Sequence, residues 1–343
     1  MDSARFNAIV ERYCDLSIAV LGDFCLDRYL EIDPAKQEIS LETGLPVRNV
    51  VNVRAQPGGA GTIVNNLAAL GVGNIFPVGF AGDDGEGFEL WGALERLPGV
   101  RLGHFVQTAQ RHTFTYCKPL VIAPDKPPVE LNRLDLKNWT PTPALLQGLL
   151  ASRLKTVAGL VSAVIVLDQV DVPETGVVTR KVREAAKEVA EQDPELLILA
   201  DSRRGLRGFP PVTFKMNAAE LSALTGAKGE LSLEQIKEAA TALARRNGRS
   251  VFVTLAERGI LGAAGSGQVE HVPALPVRGA IDIVGAGDAV TANLVAALAA
   301  GATLREALEI ANAAASVVVH KLGTTGTASV AEIRELLVPP GSR

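Results

Sequence analysis

After Pro141 the chain settles into one rhythm, and that rhythm limits its possible folds more than any other feature. Short apolar runs alternate with longer amphipathic ones: SAVIVLD (162–168), LLILAD ending at Asp201, VTFKMN ending at Asn217, and SVFVTLA ending near Thr254. Each run has strand length and is almost unbroken in apolar residues, the pattern of strands covered on both faces. The stretches 175–192 and 234–246 between them carry charge at helical spacing. Strands alternating with helices imply a mostly parallel sheet with helices on both sides. Ligands of such sheets bind beyond the carboxyl ends of the strands. Asp23, Asp168, Asp201, Asn217, Thr254 and Asp288 all fall at or just after such ends, or in loops.

The first 140 residues keep the rhythm with two interruptions. LSIAVLGDF (16–24) reads as a strand that breaks at Gly22-Asp23. PGGAGTIVNNLAALG reads as a glycine turn and an apolar helix ending at Gly71, IFPVGFAG as a strand, and DDGEGFELWGALERL as a turn into a helix. Between them lie two half-polar, alternating stretches, around 31–54 and HFVQTAQRHTFTYCKPLVIA. Alternation of period two marks strands with one wet face. The two stretches either pair in space as a small β lid, over roughly 30–55 and 105–135, or stand as separate surface hairpins. EHVPALPV is expected to form an edge hairpin, and 304–320 an alanine-rich helix. Residues 1–330 then make one domain, followed by a tail over 331–343.

Bulk properties narrow the function. A chain of 343 residues with 47% hydrophobic residues can bury an ample core, and with only 4% aromatics that core must be mainly aliphatic. A net charge of -4 argues against nucleic acid as the main partner. Cys14, Cys25 and Cys117 form no CxxC pair, and His104, His112, His271 and His320 lack ligand spacing, so neither a disulfide framework nor a zinc site is expected. These features fit a reducing, cytoplasmic setting. The start MDSARFNAIVERYC has no apolar leader core, and the apolar run after Asp288 is short for a membrane span.

The chemistry concentrates in IDIVGAGDAV (281–290). Gly285 and Gly287 permit a tight turn and close approach of a ligand, with small Ala286 between them. The helix that follows starts with N–H groups lacking internal partners, which attract phosphate oxygens. Asp288, in the first turn, has two readings. It is a cap that fills those N–H groups, or it is a base that turns to a substrate hydroxyl and leaves them to an anion. The second division of labour suits phosphoryl transfer. The GxxxxGK[ST] loop is absent, and no GxGxxG follows the first strand, which weakens a dinucleotide-dependent reading.

IDIVGAGD resembles the carboxyl-terminal signature of the ribokinase-like (PfkB) carbohydrate kinases. LGDFCLDRY, PGGAGTIVNNLAALG, GFAGDDGEG, MNAAE and VTLAERG resemble further stations of that family in order, over roughly residues 16–330. ISLETGLPV and VELNRLD are most similar to the heptose-phosphate kinase half of ADP-heptose synthesis enzymes, whose nucleotidyltransferase half would find no room here. The resemblance implies an α/β, ribokinase-like three-layer sandwich with a mostly parallel central sheet and a small β lid. It implies ATP-dependent phosphorylation of a sugar or sugar phosphate, with Mg²⁺ and, in some relatives, K⁺.

By resemblance, Asp288 matches the base, and Gly285, Ala286 and Gly287 the anion hole. Asn217 and Glu220 match the NxxE element that organises Mg²⁺ through water, although as residues they read equally as a helix cap and a first-turn charge. Thr254 and Gly259 match the nucleotide-phosphate segment. Asp27, Gly58, Gly59 and Thr62 match the sugar side, and Asn65 and Asn66, one turn after Thr62, could compensate for the asparagine usual at Thr62. Asp282 matches the acidic residue near a monovalent cation. Val284 stands where a Thr or Ser is usual. Lys118, Arg111 and Arg133 flank the lid segments and read either as contacts to a sugar phosphate or as solvated surface charge. Several relatives dimerise through the lid, so a homodimer is expected. A nucleoside or other small-alcohol kinase of the same fold, and a non-catalytic sugar- or nucleotide-binding regulator, are the competing readings.

Overall fold

A computed structural model describes residues 1–338 except Asp125, Lys228 and Thr324. The expected rhythm becomes an eight-stranded sheet. Its order is Val269–Val272, Ile260–Ala263, Val251–Thr254, Thr213–Asn217, Leu197–Ser202, Ala163–Asp168, Ser17–Gly22, Asn74–Val78. The last six strands in that order run parallel, and the first two add antiparallel at one edge. The edge strand Val269–Val272 is the EHV of the expected hairpin.

Two apolar clusters cover the sheet faces. One joins the helices Ala60–Ala69, Ala286–Ala299 and Leu304–Val319 to it, and the other joins Ala144–Ala158, Arg180–Gln192 and Leu233–Asn247. This is the three-layer arrangement. The helix Ala286–Ala299 buries nearly its whole length, and its small side chains let it lie close to Leu304–Val319 and Ala60–Ala69. With few aromatics available, close helix approach supplies the packing that bulk would otherwise provide.

The two interruptions do pair in space. Strand Phe24–Ile32 pairs antiparallel with Val50–Gly59 and parallel with Phe114–Val121, and the short strands Val129–Glu130 and Leu134–Leu136 add to Phe114–Val121. The lid therefore starts at Phe24, immediately after the break at Gly22-Asp23, rather than near residue 30. Nor does its second insertion begin at 105: Val106–Thr108 pairs with Phe80–Gly82 as a separate ribbon. Alternation alone cannot distinguish a lid strand from such a ribbon, because both have one wet face.

Two ends also shift. The helix expected from residue 175 starts at Arg180, because Thr175 holds its carbonyl against Arg111 and its hydroxyl against Val172. The expected tail is partly structured: Val330–Leu337 is a helix with Ile333 buried in the core, while 339–343 lie outside the described residues. Among the described residues, no helix is long and apolar enough to cross a membrane.

Candidate active site

The sheet's carboxyl edge and the lid enclose a cavity of about 180 Å³. Asp288 and Gly285 lie at its wall, with Val284, Thr62 and Thr325 beside them. Asp27, Cys25 and Gly59 enter from the lid strands, and Lys118, Arg133, Lys137 and Arg203 line the cavity as well.

The geometry at the helix start decides between the two readings of Asp288. Gly285 is the N-cap residue, at φ +80°, and no side chain caps the helix. Asp288 accepts no described hydrogen bond, so the cap reading fails. Glycine is required at 285 for two reasons. Its φ is one that side-chain-bearing residues rarely adopt, and a Cβ there would come within 2.6 Å of Thr325 Cγ2. Burial pushes the Asp288 carboxyl up to about 7; Lys215 opposes the shift, and Asp201 and Asp27 add to it.

Lys215 was not apparent as a site residue. It stands in the strand Thr213–Asn217, and its buried ammonium donates to Asp201 Oδ2 at 2.7 Å. A Cβ on Gly287 would lie 3.2 Å from that ammonium, so the cation sits directly beside the glycine turn. Burial works against the charge, but Asp201, joined by Asp288 and Glu220, holds the pKa above the ordinary lysine value. Thr291, one turn into the helix, also donates to Asp201 Oδ2, at 3.2 Å. The signal in the sequence was a lone lysine inside an apolar run.

On the lid side, Asp27 is buried and lies 3.5 Å from Lys118 Nζ. Burial raises its pKa, with Lys118 opposing. Gly58 does not line the cavity; it makes room for Asp27, whose Oδ2 a Cβ at 58 would meet at 2.5 Å. Gly59 does line it, at φ +57°. Thr62 reaches the wall, but Asn66 does not. Asn66 is wholly buried and donates its amide to Thr62 O at 2.9 Å, so it cannot stand in for the missing asparagine.

Asn217 and Glu220 form a complete capping box. Asn217 Oδ1 accepts from Glu220 N at 2.9 Å, and Glu220 Oε2 accepts from Asn217 N at 2.7 Å. The box leaves Glu220 Oε1 and the Asn217 amide NH₂ outside it. Asn217 pairs across the sheet with Thr254, so both stand at one carboxyl edge. Gly259, at φ +92°, packs against the backbone of 272–274. Asp282 N donates to Val319 O, and Asp282 Oδ1 accepts from Val284 N. The carboxylate thus shapes the loop entering the glycine turn.

Asp23 lies between body and lid. Its carboxylate accepts N–H groups from Gln169, Val170 and Val177, and its carbonyl accepts Ala60 N. Burial, then Asp168, push its carboxyl up to about 7, against those three N–H groups. Of the lid-flanking cations, Lys118 and Arg133 line the cavity and Arg111 does not. Arg111 is buried, and its guanidinium donates to the carbonyls of Thr140 and Thr175. Lys137 and Arg203 complete the cationic set and were missed, since solvated arginines and lysines look the same in sequence.

An uncapped helix start with a lysine beside its glycines and an unpaired carboxylate in its first turn is the arrangement of an anion site with a base. The sequence profile of the pfkB family of carbohydrate kinases matches residues 16–331. The chain belongs to that family. The bifunctional protein HldE of Azorhizobium caulinodans is 33% identical over 333 residues, covering 95% of this chain and 66% of that protein. The HldE of Gluconacetobacter diazotrophicus is 33% identical, covering 94% and 63%. The chain thus spans just under two thirds of the length of these relatives. Escherichia coli phosphofructokinase-2, in complex with substrates and products, has a similar fold (TM-score 0.69, 20% identity, 93% of this chain and 97% of that one). Arabidopsis thaliana ribokinase, complexed with ribose and ATP, does too (TM-score 0.65, 20% identity, 94% and 98%). This pfkB-family member therefore has the ribokinase-like fold, with the open helix start at its cavity.

Proposed function

We propose that this protein transfers phosphate from ATP to a hydroxyl of a sugar that already carries a phosphate, a heptose-phosphate-like acceptor. The observation that carries the reading is the division of the cavity. Asp288 stands at the glycine turn and Asp27 faces the same cavity beside Lys118, whereas Lys137 and Arg203 pair with Asp171 on the far side. Arg133 and Lys137 also share Asp135. Carboxylates suit sugar hydroxyls; clustered cations suit an anionic tail. The HldE relatives agree with a phosphorylated acceptor; the fold, shared with both a phosphofructokinase and a ribokinase, favours neither kind of acceptor.

In this reading Asp288 takes the proton of the attacking hydroxyl, and the N–H groups after Gly285, with Lys215 behind them, hold the oxygens of the transferring group. Asp27 orients the acceptor. Mg²⁺ would neutralise phosphate charge. The available donors suit it, since Mg²⁺ takes one or two protein oxygens plus phosphates and water, and Glu220 Oε1 is open toward that role. A monovalent cation, as in the phosphofructokinase-2 complex with potassium, would sit near Asp282. Lid closure would exclude water from the transfer.

A screen of the purified protein with ATP against sugars, sugar phosphates and nucleosides tests the reading. Turnover of phosphorylated sugars above their free counterparts is expected. Preference for nucleosides or free sugars would overturn it, and binding without transfer across the panel would favour a non-catalytic regulator.

We further propose a homodimer joined through the lid. Val50–Gly59 is an edge strand, and Val50, Val51 and Val53 on it are exposed, as are Ile39, Leu41 and Leu45 in the short hairpin before it. Apolar side chains on an open edge are seldom left uncovered. Sedimentation of the V51D/V53D variant should give a monomer where the parent gives a dimer.

A further inference from the structure

Among the described residues, one buried polar atom without a partner belongs to a residue of the reaction cavity. Thr325 is 9% exposed and lines the cavity with Gly285, Thr62 and Asp288. Its Oγ1 is covered by protein and has no hydrogen-bond partner. Its methyl group is what a Cβ on Gly285 would strike, at 2.6 Å. Asn66 Oδ1 and Asn293 Oδ1 are also unpartnered, but neither residue lines the cavity, and each donates its amide to the carbonyl one turn back. Those two are explained by helix geometry; Thr325 is not.

A covered hydroxyl without a partner is unfavourable, and where a native chain keeps one at a ligand site, a partner is expected from the ligand. A rotation by one staggered step about Cα–Cβ carries Oγ1 to the position of Cγ2, and Cγ2 to that of the β-hydrogen. That step brings the hydroxyl to the position now held by the methyl, against Gly285 and the first N–H groups of the helix. On the other side of the turn Val284 lines the cavity with hydrocarbon only.

We propose that Thr325 is a further catalytic residue, whose hydroxyl rotates to donate a hydrogen bond to an oxygen of the phosphoryl group held at Gly285–Gly287. The inference rests on the phosphotransfer reading above. It adds a donor from the loop after Leu304–Val319 to a site otherwise built from one helix start. The hydroxyl remains a threonine hydroxyl throughout; no proton leaves it.

The test uses Mg²⁺, ADP and aluminium fluoride, a mimic of the transferring group that needs no acceptor. Calorimetry measures how far fluoride tightens ADP binding in the parent, in Thr325→Val and in Thr325→Ser. Valine keeps the shape and loses the hydroxyl; serine keeps the hydroxyl. The expected result is unchanged ADP affinity in all three, a fluoride gain reduced at least about tenfold in the valine variant, and a gain within about twofold of the parent in the serine variant. Equal gains in parent and valine variant would overturn the role of Thr325 while leaving the anion site standing. No gain in the parent would overturn the anion site, and this inference with it.

Discussion

Two helices begin at the carboxyl edge of the same sheet, and both carry an acid in the first turn. At Ala218–Thr225 the acid is spent on the backbone: Asn217 and Glu220 close a capping box. At Ala286–Ala299 the acid is withheld: Gly285 offers no side-chain cap, Ala286 N makes only a long bond to Ile283 O at 3.3 Å, and Asp288 keeps its oxygens free. The difference is not the acid's position, which is three residues after the N-cap in both. It is the N-cap residue. An asparagine supplies an oxygen and draws the chain into a local exchange; a glycine supplies nothing and turns the backbone aside. Saturating one end gives a rigid support, and leaving the other without a side-chain cap is what the proposed anion site requires.

The sharpest way to break this contrast is at Asp288. Replacement by asparagine should lower kcat by about 10²–10⁴-fold, the usual contribution of a general base, measured by coupled ADP release. Near-parental turnover would remove the base. Next is the turn. Gly285→Ala adds a side chain at a disfavoured φ against Thr325, and phosphotransfer should fall about 100-fold, with circular dichroism unchanged.

The charge relation gives the third test. The Asp288 pKa is raised to about 7, so kcat/KM should fall as pH drops below about 7, where the base becomes protonated. Lys215 holds that pKa down, so Lys215→Met should move this limb to higher pH. A limb unmoved by the variant would separate the two groups. The same shift has a sign for stability. Asp288 binds its proton more tightly in the folded chain than in the unfolded one. Its contribution therefore weakens as pH rises from the ordinary carboxylate range through about 7. D288N should accordingly melt above the parent at pH 8.

The smallest effect belongs to the closed end. Asn217→Ala should cost about 1 kcal/mol of stability, read as a lower denaturant midpoint. The KM for ATP should rise if the Mg²⁺ role is also present, and stay fixed if the box is only a cap.

How much of this could be read in advance followed from what each signal measures. The parallel sheet was legible because buried strands and amphipathic helices have distinct periods. The glycine turn was legible because two glycines flank a small residue just before a long apolar helix. The state of Asp288 was not, since a first-turn acid looks the same whether it caps or waits; only the orientation of the chain at Gly285 decides. Asn66 misled because sequence distance along a helix gives a turn count and not the direction of the cavity. Lys137 and Arg203 come from separate segments, 66 positions apart in the numbering, and converge on Asp171 only after the lid meets the body. The start of the lid at Phe24 was hidden because Phe24, Cys25 and Leu26 carry the apolar run past the break before charged residues appear.

Asp23 gives the lid a mechanical character. Its side chain is bolted to Gln169, Val170 and Val177, while its carbonyl holds Ala60, so one lid strand leaves from this residue and the partner strand returns to it. Both strands thus share a single hinge pin anchored in the body. Asp27 lies four residues out along the first of them, and any swing of the lid about that pin carries it toward or away from Asp288. The grip on the acceptor and the angle of the lid would then be one variable, in the way a door and its latch travel together.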